Sequence, residues 1–124
     1  MKKLLLLSLL FSTCASAQST NDTEKATALK EATLHGEEIF SGILLAQKCE
    51  FLDPSEYNSY AGKSYAIVGL LKKVLGKEEV NDMVKRAQVI TLTAPFTECG
   101  KESKALVDGS KVFVNHTHKI LSAK

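Results

Sequence analysis

Residues 52–76 read LDPSEYNSYAGKSYAIVGLLKKVLG. Asp53 stands where a side-chain oxygen can accept from the free amides of a first helical turn. Pro54 suits the first helical position, and Glu56 falls three residues after the cap. Leu52 and Tyr57 occupy the positions that a hydrophobic staple pairs. Tyr57, Tyr60, Ala61, Ser64, Ile67, Val68, Leu71 and Leu75 then recur at the spacing of one helix face. Lys72 and Lys73 bring cations to the last turn, where the helix dipole favours them, and Gly76 suits a C-terminal cap. The pattern predicts a helix from about Pro54 to Leu75.

Upstream, the segment from about Asp22 to Glu50 carries Leu29, Ala32, Phe40, Ile43 and Ala46 at helical spacing, with Ile39, Leu44 and Leu45 widening the stripe. Asn21 and Glu24 form a capping-box-like start. Gly36 and Gly42 each weaken the helix by up to ~1 kcal/mol relative to Ala. The segment reads as one long helix whose weak point is His35-Gly36. Downstream, Glu78 and Glu79 favour a helix start near Lys77, Val80, Met83, Val84, Ala87 and Ile90 form its apolar side, and Pro95 stops it near Thr93. The last segment, about Gly100 to Ser122, aligns Cys99, Leu106, Phe113, Ile120 and Leu121 on a helix. Asp108-Gly109 permits a rival hairpin leading into Ser110 to Val114. The helix is preferred because no other stretch offers a strand partner. The expectation is an all-α domain, residues 18–124, built as a small bundle of about four helices with one disulfide.

The start of the chain sets the expected compartment. Lys2 and Lys3 precede an apolar run from Leu4 to Phe11, and Ala15-Ser16-Ala17 is a small-residue cleavage site before Gln18. Residues 1–17 read as a cleaved signal peptide, so a periplasmic or secreted location is expected and no membrane span after its removal. A rival reading ends the leader at Cys14 as a lipidation site, but Phe11-Ser12-Thr13 fits that box poorly. Cleavage before Gln18 removes Cys14 and leaves Cys49 and Cys99, which allow one intramolecular disulfide. Cleavage also removes Lys2 and Lys3, so 14 Lys and Arg face 14 Asp and Glu and the mature charge is near zero. With a single Arg and no basic cluster, nucleic-acid binding is not expected.

Few motifs carry chemistry. Gly62-Lys63-Ser64 ends like a phosphate-binding loop, but Tyr57 stands where the motif needs glycine, and the stretch lies inside a helix. Gly62 and Gly69 read instead as small residues that admit a neighbouring helix. His116-Thr117-His118 could hold a metal on a strand. On a helix the two imidazoles point roughly 160° apart. Glu31, His35 and Glu38 share one helix face but lack the matching acids of a carboxylate metal centre. No catalytic motif, metal ligand set or cofactor is expected. Tyr57, Tyr60 and Tyr65 hold all the tyrosines of the chain. The first two lie on the apolar face, and Tyr65 points elsewhere, a candidate partner surface.

Cys49-Glu50-Phe51-Leu52 and the stretch from Ile90 to Lys104, around Pro95 and Cys99, resemble the periplasmic acid-stress chaperones of the HdeA type. Those are small secreted all-α domains with one disulfide. The resemblance implies acid-activated binding of unfolded clients, and the long helix before Cys49 departs from that pattern. In size, leader and helicity the chain is also similar to small periplasmic immunity proteins of type VI secretion systems. The leading expectation is a non-enzymatic protein that binds another protein, as an immunity protein or inhibitor. The alternatives are an acid-stress chaperone and, from a different class, a metal-binding protein or small enzyme.

Overall fold

The computed structural model describes residues 22–123, all of them in helices, turns and short links, and no strand occurs among them. Five helices follow in order. Helix α1 covers 22–34, α2 Gly36–Cys49, α3 Pro54–Leu75, α4 Lys77–Thr91 and α5 Lys101–Leu121, with a 3-10 turn at Phe96–Glu98 before α5. The bundle is helical as expected. It has one more helix than expected because the first segment divides at His35, whose backbone (φ −106°, ψ 17°) leaves the helical range. The hydrogen bonds from His35 N to Glu31 O (2.9 Å) and from Ile39 N to His35 O (3.1 Å) run through that point, so the division is a bend.

Helix α3 begins and ends where its sequence says. Asp53 Oδ1 accepts from Glu56 N at 2.8 Å, and Gly76 closes the helix with φ +89°. That accepted amide bond, which favours the ionised form, holds the Asp53 carboxyl below its ordinary value.

Helix α2 is the centre of the bundle. It buries Gly36, Ile39, Phe40, Ser41, Gly42, Ile43, Leu45 and Ala46 and packs against α3, α4 and α5. A helix buried on so many sides needs close neighbours, and its glycines supply them. A Cβ at Gly36 would stand 2.6 Å from Met83 Sδ of α4. A Cβ at Gly42 would meet the Tyr60 hydroxyl, and would lie 2.5 Å from Ser110 Oγ and 2.7 Å from Ser110 Cβ. The sequence reading gave the close-approach role to Gly62 and Gly69. Both are exposed and have no neighbouring atoms in the space a Cβ would fill. The glycines on the solvent side of α3 weaken it, and those of α2 let three helices meet.

At that crossing Tyr60, 1% exposed, sits within 2.6 Å of Ser110 Oγ and donates a long bond of 3.5 Å to the Ile39 carbonyl. Ser64 Oγ donates to the Tyr60 carbonyl at 2.8 Å. Burial pushes the Tyr60 phenol up to about 12, because the phenolate would lose its hydration there.

Helix α5 reaches the core through Ser103, Val107, Ser110, Val114 and Thr117. These alternate three and four residues apart, the seam of knobs-into-holes packing. The expected stripe of Leu106, Phe113, Ile120 and Leu121 is the half-buried margin of that seam. The hairpin alternative at Asp108-Gly109 is replaced by continuous helix through both residues.

Two predictions follow from the crossing. Gly42→Ala should destabilise the fold by about 1–3 kcal/mol through overpacking. Adding Tyr60→Phe, which removes one clashing oxygen, should recover part of that loss, so a denaturant double-mutant cycle should show coupling well away from zero. The second concerns alkali. Below pH 10 the phenol is neutral in both folded and unfolded chains. Between pH 10 and 12 the unfolded chain releases this proton first, so stability falls as pH rises, by up to about 3 kcal/mol. Tyr60→Phe lacks this loss. Its stability deficit against wild type should narrow between pH 8 and pH 11 in guanidinium unfolding, and an unchanged gap would place the hydroxyl in water.

Candidate functional site

Tyr65 lies five residues after Tyr60 on α3, which turns it roughly 140° away from the core-facing tyrosine. Its side chain is 56% exposed and overhangs a cavity of about 230 Å3 between α2, α3 and α4. Phe40, Ile43, Leu44 and Val84 supply apolar walls, and Gln47 completes the lining. Phe40 and Ile43 are anchored in the core, so the floor is part of the packed bundle. The opening carries an amide and a phenol and no charged side chain. Such a lining can receive an apolar group and orient it with one or two hydrogen bonds. Tyr65 was visible in the sequence as a tyrosine off the apolar face. Its companions were not, because Leu44 read there as the widening of one core stripe and Val84 as part of the apolar side of another helix.

The other candidate residues disperse. His116 lines a groove of about 600 Å3 between α1 and α5 with Thr23, Glu24, Thr27, Ala28, Glu31 and Ile120. His118 lines a separate groove with Ala66, Ile67, Leu70, Leu121 and Ser122. The two imidazoles therefore serve different faces of α5, as helical geometry requires. His35 Nδ1 lies 3.6 Å from Glu38 Oε2, and its ring rests 5.2 Å from that of Phe113, while Glu31 turns to the α1–α5 groove. Among the described residues no three His, Cys, Asp or Glu side chains converge as a metal site. Within the Gly62-Lys63-Ser64 stretch, Lys63 Nζ donates to Asn115 Oδ1 at 3.1 Å and Ser64 is buried against Tyr60. Its place inside α3 commits the backbone amides that a phosphate would need.

Cys49 and Cys99 are bonded to each other, with 5.4 Å between their Cα atoms. The bond joins the last residue of α2 to the turn that precedes α5, both partly buried. Elsewhere the helices are tied by ion pairs, Arg86 of α4 to Glu37 of α2 and Lys111 of α5 to Glu56 of α3 at 3.0 Å, and within α4 Arg86 also pairs with Glu79. The hydrogen bond to Glu37 raises the Arg86 guanidinium further above its ordinary value. Among the described residues no helix is long and apolar enough to cross a membrane. The proposed cleavage site at Ala17-Gln18, and Cys14 with it, lie outside the described residues.

Comparison with protein-family models, with curated proteins and with solved structures finds no match.

The disulfide closes a loop of 50 residues, which corresponds to roughly 4 kcal/mol of denatured-state constraint. Reduction, or paired replacement of Cys49 and Cys99 by Ser, should lower the melting temperature by about 15 °C or more. A shift of only a few degrees in calorimetry would show that the helices hold without the bond.

Proposed function

We propose that this chain is a secreted, periplasmic-type protein that acts without catalysis, by binding another protein in the manner of an immunity protein or inhibitor. The observation that carries this reading is the Tyr65 groove: a half-exposed tyrosine over an apolar, uncharged cavity whose floor belongs to the core. Tyrosine beside an apolar pocket is the usual make-up of an interface anchor, because it brings large contact area with little rotamer loss. A rigid frame suits that role, since a surface that does not reorganise on binding loses less entropy. The disulfide supports an oxidising compartment, in agreement with the leader.

The test is capture at neutral pH. Immobilised mature protein should retain one partner from the secreted and periplasmic fractions, and the purified pair should form a 1:1 complex. Tyr65→Ala, with unchanged helicity, should weaken that complex at least about tenfold. A partner indifferent to Tyr65, or no partner, overturns the reading.

A second reading, the acid-stress chaperone, draws on the carboxylates that tie the bundle. Glu37 and Glu56 join α2 to α4 and α3 to α5, and Asp53 caps α3. Because the Asp53 carboxyl is held low, its cap is present above the ordinary carboxylate range and is lost as pH falls through its lowered value. At pH 2 the chain as a whole is strongly positive, which favours opening. If this reading holds, the protein at pH 2 binds a hydrophobic dye and suppresses client aggregation. A chain that stays folded and inert at pH 2 excludes it.

A further inference from the structure

Gln47 lines two cavities. One is the Tyr65 cavity of about 230 Å3. The other, of about 630 Å3, lies where α2 leads into α3, and its remaining walls are Ala46, Glu50, Leu52, Pro54 and Tyr57. Phe40, Ile43, Gln47 and Glu50 stand three and four residues apart, so they follow one face of α2 to its C-cap. The two cavities therefore adjoin at Gln47 and share that face.

Their chemistry differs. The Tyr65 cavity has apolar walls and two neutral hydrogen-bonding groups. Among the described residues, Glu50 alone brings charge to the lining of the second. Glu50 is exposed and joins no ion pair among the described residues. Its backbone is left-handed (φ 54°), and its amide donates to the Ala46 carbonyl at 3.2 Å, which fixes the chain that carries the carboxylate. Other charges nearby do not answer it. Lys48 belongs to neither lining. Across the disulfide, Glu98 and Lys101 carry opposite signs. Asp53 caps α3, and Lys111 pairs with Glu56.

A carboxylate set among apolar walls, an aromatic ring and an amide suits one kind of side chain. A neutral apolar group would strip water from the carboxylate and give nothing back, and an acidic group would be repelled. A long cationic side chain can lay its methylenes on Leu52 and Pro54 and bring its head to Glu50. Arginine fits better than lysine, because the planar guanidinium grips a carboxylate with two hydrogen bonds and stacks on a ring such as that of Tyr57.

We infer that the second cavity receives an arginine of the partner segment whose apolar side chain enters the Tyr65 cavity. This rests on the partner-binding reading above and adds the chemistry of the partner. From Leu44 to Glu50 is six residues of α2, roughly 9 Å. An extended segment covers that in about three residues, which sets the spacing of arginine and anchor.

The experiment is selection of a random twelve-residue peptide library on immobilised mature protein, with counter-selection on Tyr65→Ala. Clones that depend on Tyr65 should carry an aromatic or branched aliphatic residue with an arginine about three positions away. Glu50→Gln should weaken them about fivefold. Replacing the arginine by citrulline, which keeps the shape and drops the charge, should weaken wild-type binding by a similar factor. The citrulline peptide should then bind Glu50→Gln and wild type alike. If Glu50→Gln loses helicity, Glu50→Asn takes its place, since Asn tolerates left-handed backbone. Tyr65-dependent clones without arginine, or arginine clones indifferent to Glu50, overturn the inference and leave the Tyr65 cavity as a binding site. An absence of Tyr65-dependent clones overturns both.

Discussion

Everything in this bundle is arranged around the contact at Gly42. One hydrogen in place of a side chain lets the α2 backbone lie against Tyr60 of α3 and Ser110 of α5. Interiors pack as densely as organic crystals, so removing that space does not simply compress the neighbours. The Tyr60 and Ser110 hydroxyls, taken out of water, satisfy one another at 2.6 Å. A buried polar pair of this kind adds little net stability, yet separating its members is expensive. It fixes which turn of α5 faces which turn of α3. The seam of small residues on α5 follows from the same requirement, since Ser103, Ser110 and Thr117 keep that helix close along its length.

The readability of the chain varies with the chemistry involved. Helix α3 was legible to the residue because its limits are local: a cap side chain, a proline and a terminal glycine act within one turn. The core face of α5 was not legible. Hydrophobicity points to Leu106, Phe113 and Ile120, whereas the buried positions are held largely by Ser and Thr, which look polar in a sequence and act as small residues in a core. The glycines show the same limit. Gly36 and Gly42 look like Gly62 and Gly69 until the neighbouring helices are known, because close approach is a property of two surfaces.

The candidate site shows that limit most clearly. A single residue, Tyr65, could be picked out, because a large aromatic off the apolar face of a well-defined helix stands apart. The cavity under it needs Leu44 and Val84 on other helices, and each looks like an ordinary core residue in its own segment. The histidines show the reverse case. His116 and His118 attract notice by adjacency, and helical geometry sends them to different grooves.

The disulfide also alters how the chain is connected. Bonding Cys49 to Cys99 makes the intervening stretch, which holds all of α3 and α4, a closed covalent ring with α2 and α5 as its arms. A protease that cuts once inside the ring, at the exposed Gly76 junction for example, opens the ring without dividing the molecule. Both halves stay joined through sulfur, and the core contacts of α2 with α3, α4 and α5 can persist across the nick. Damage to an exposed link between helices is then separated from loss of the protein.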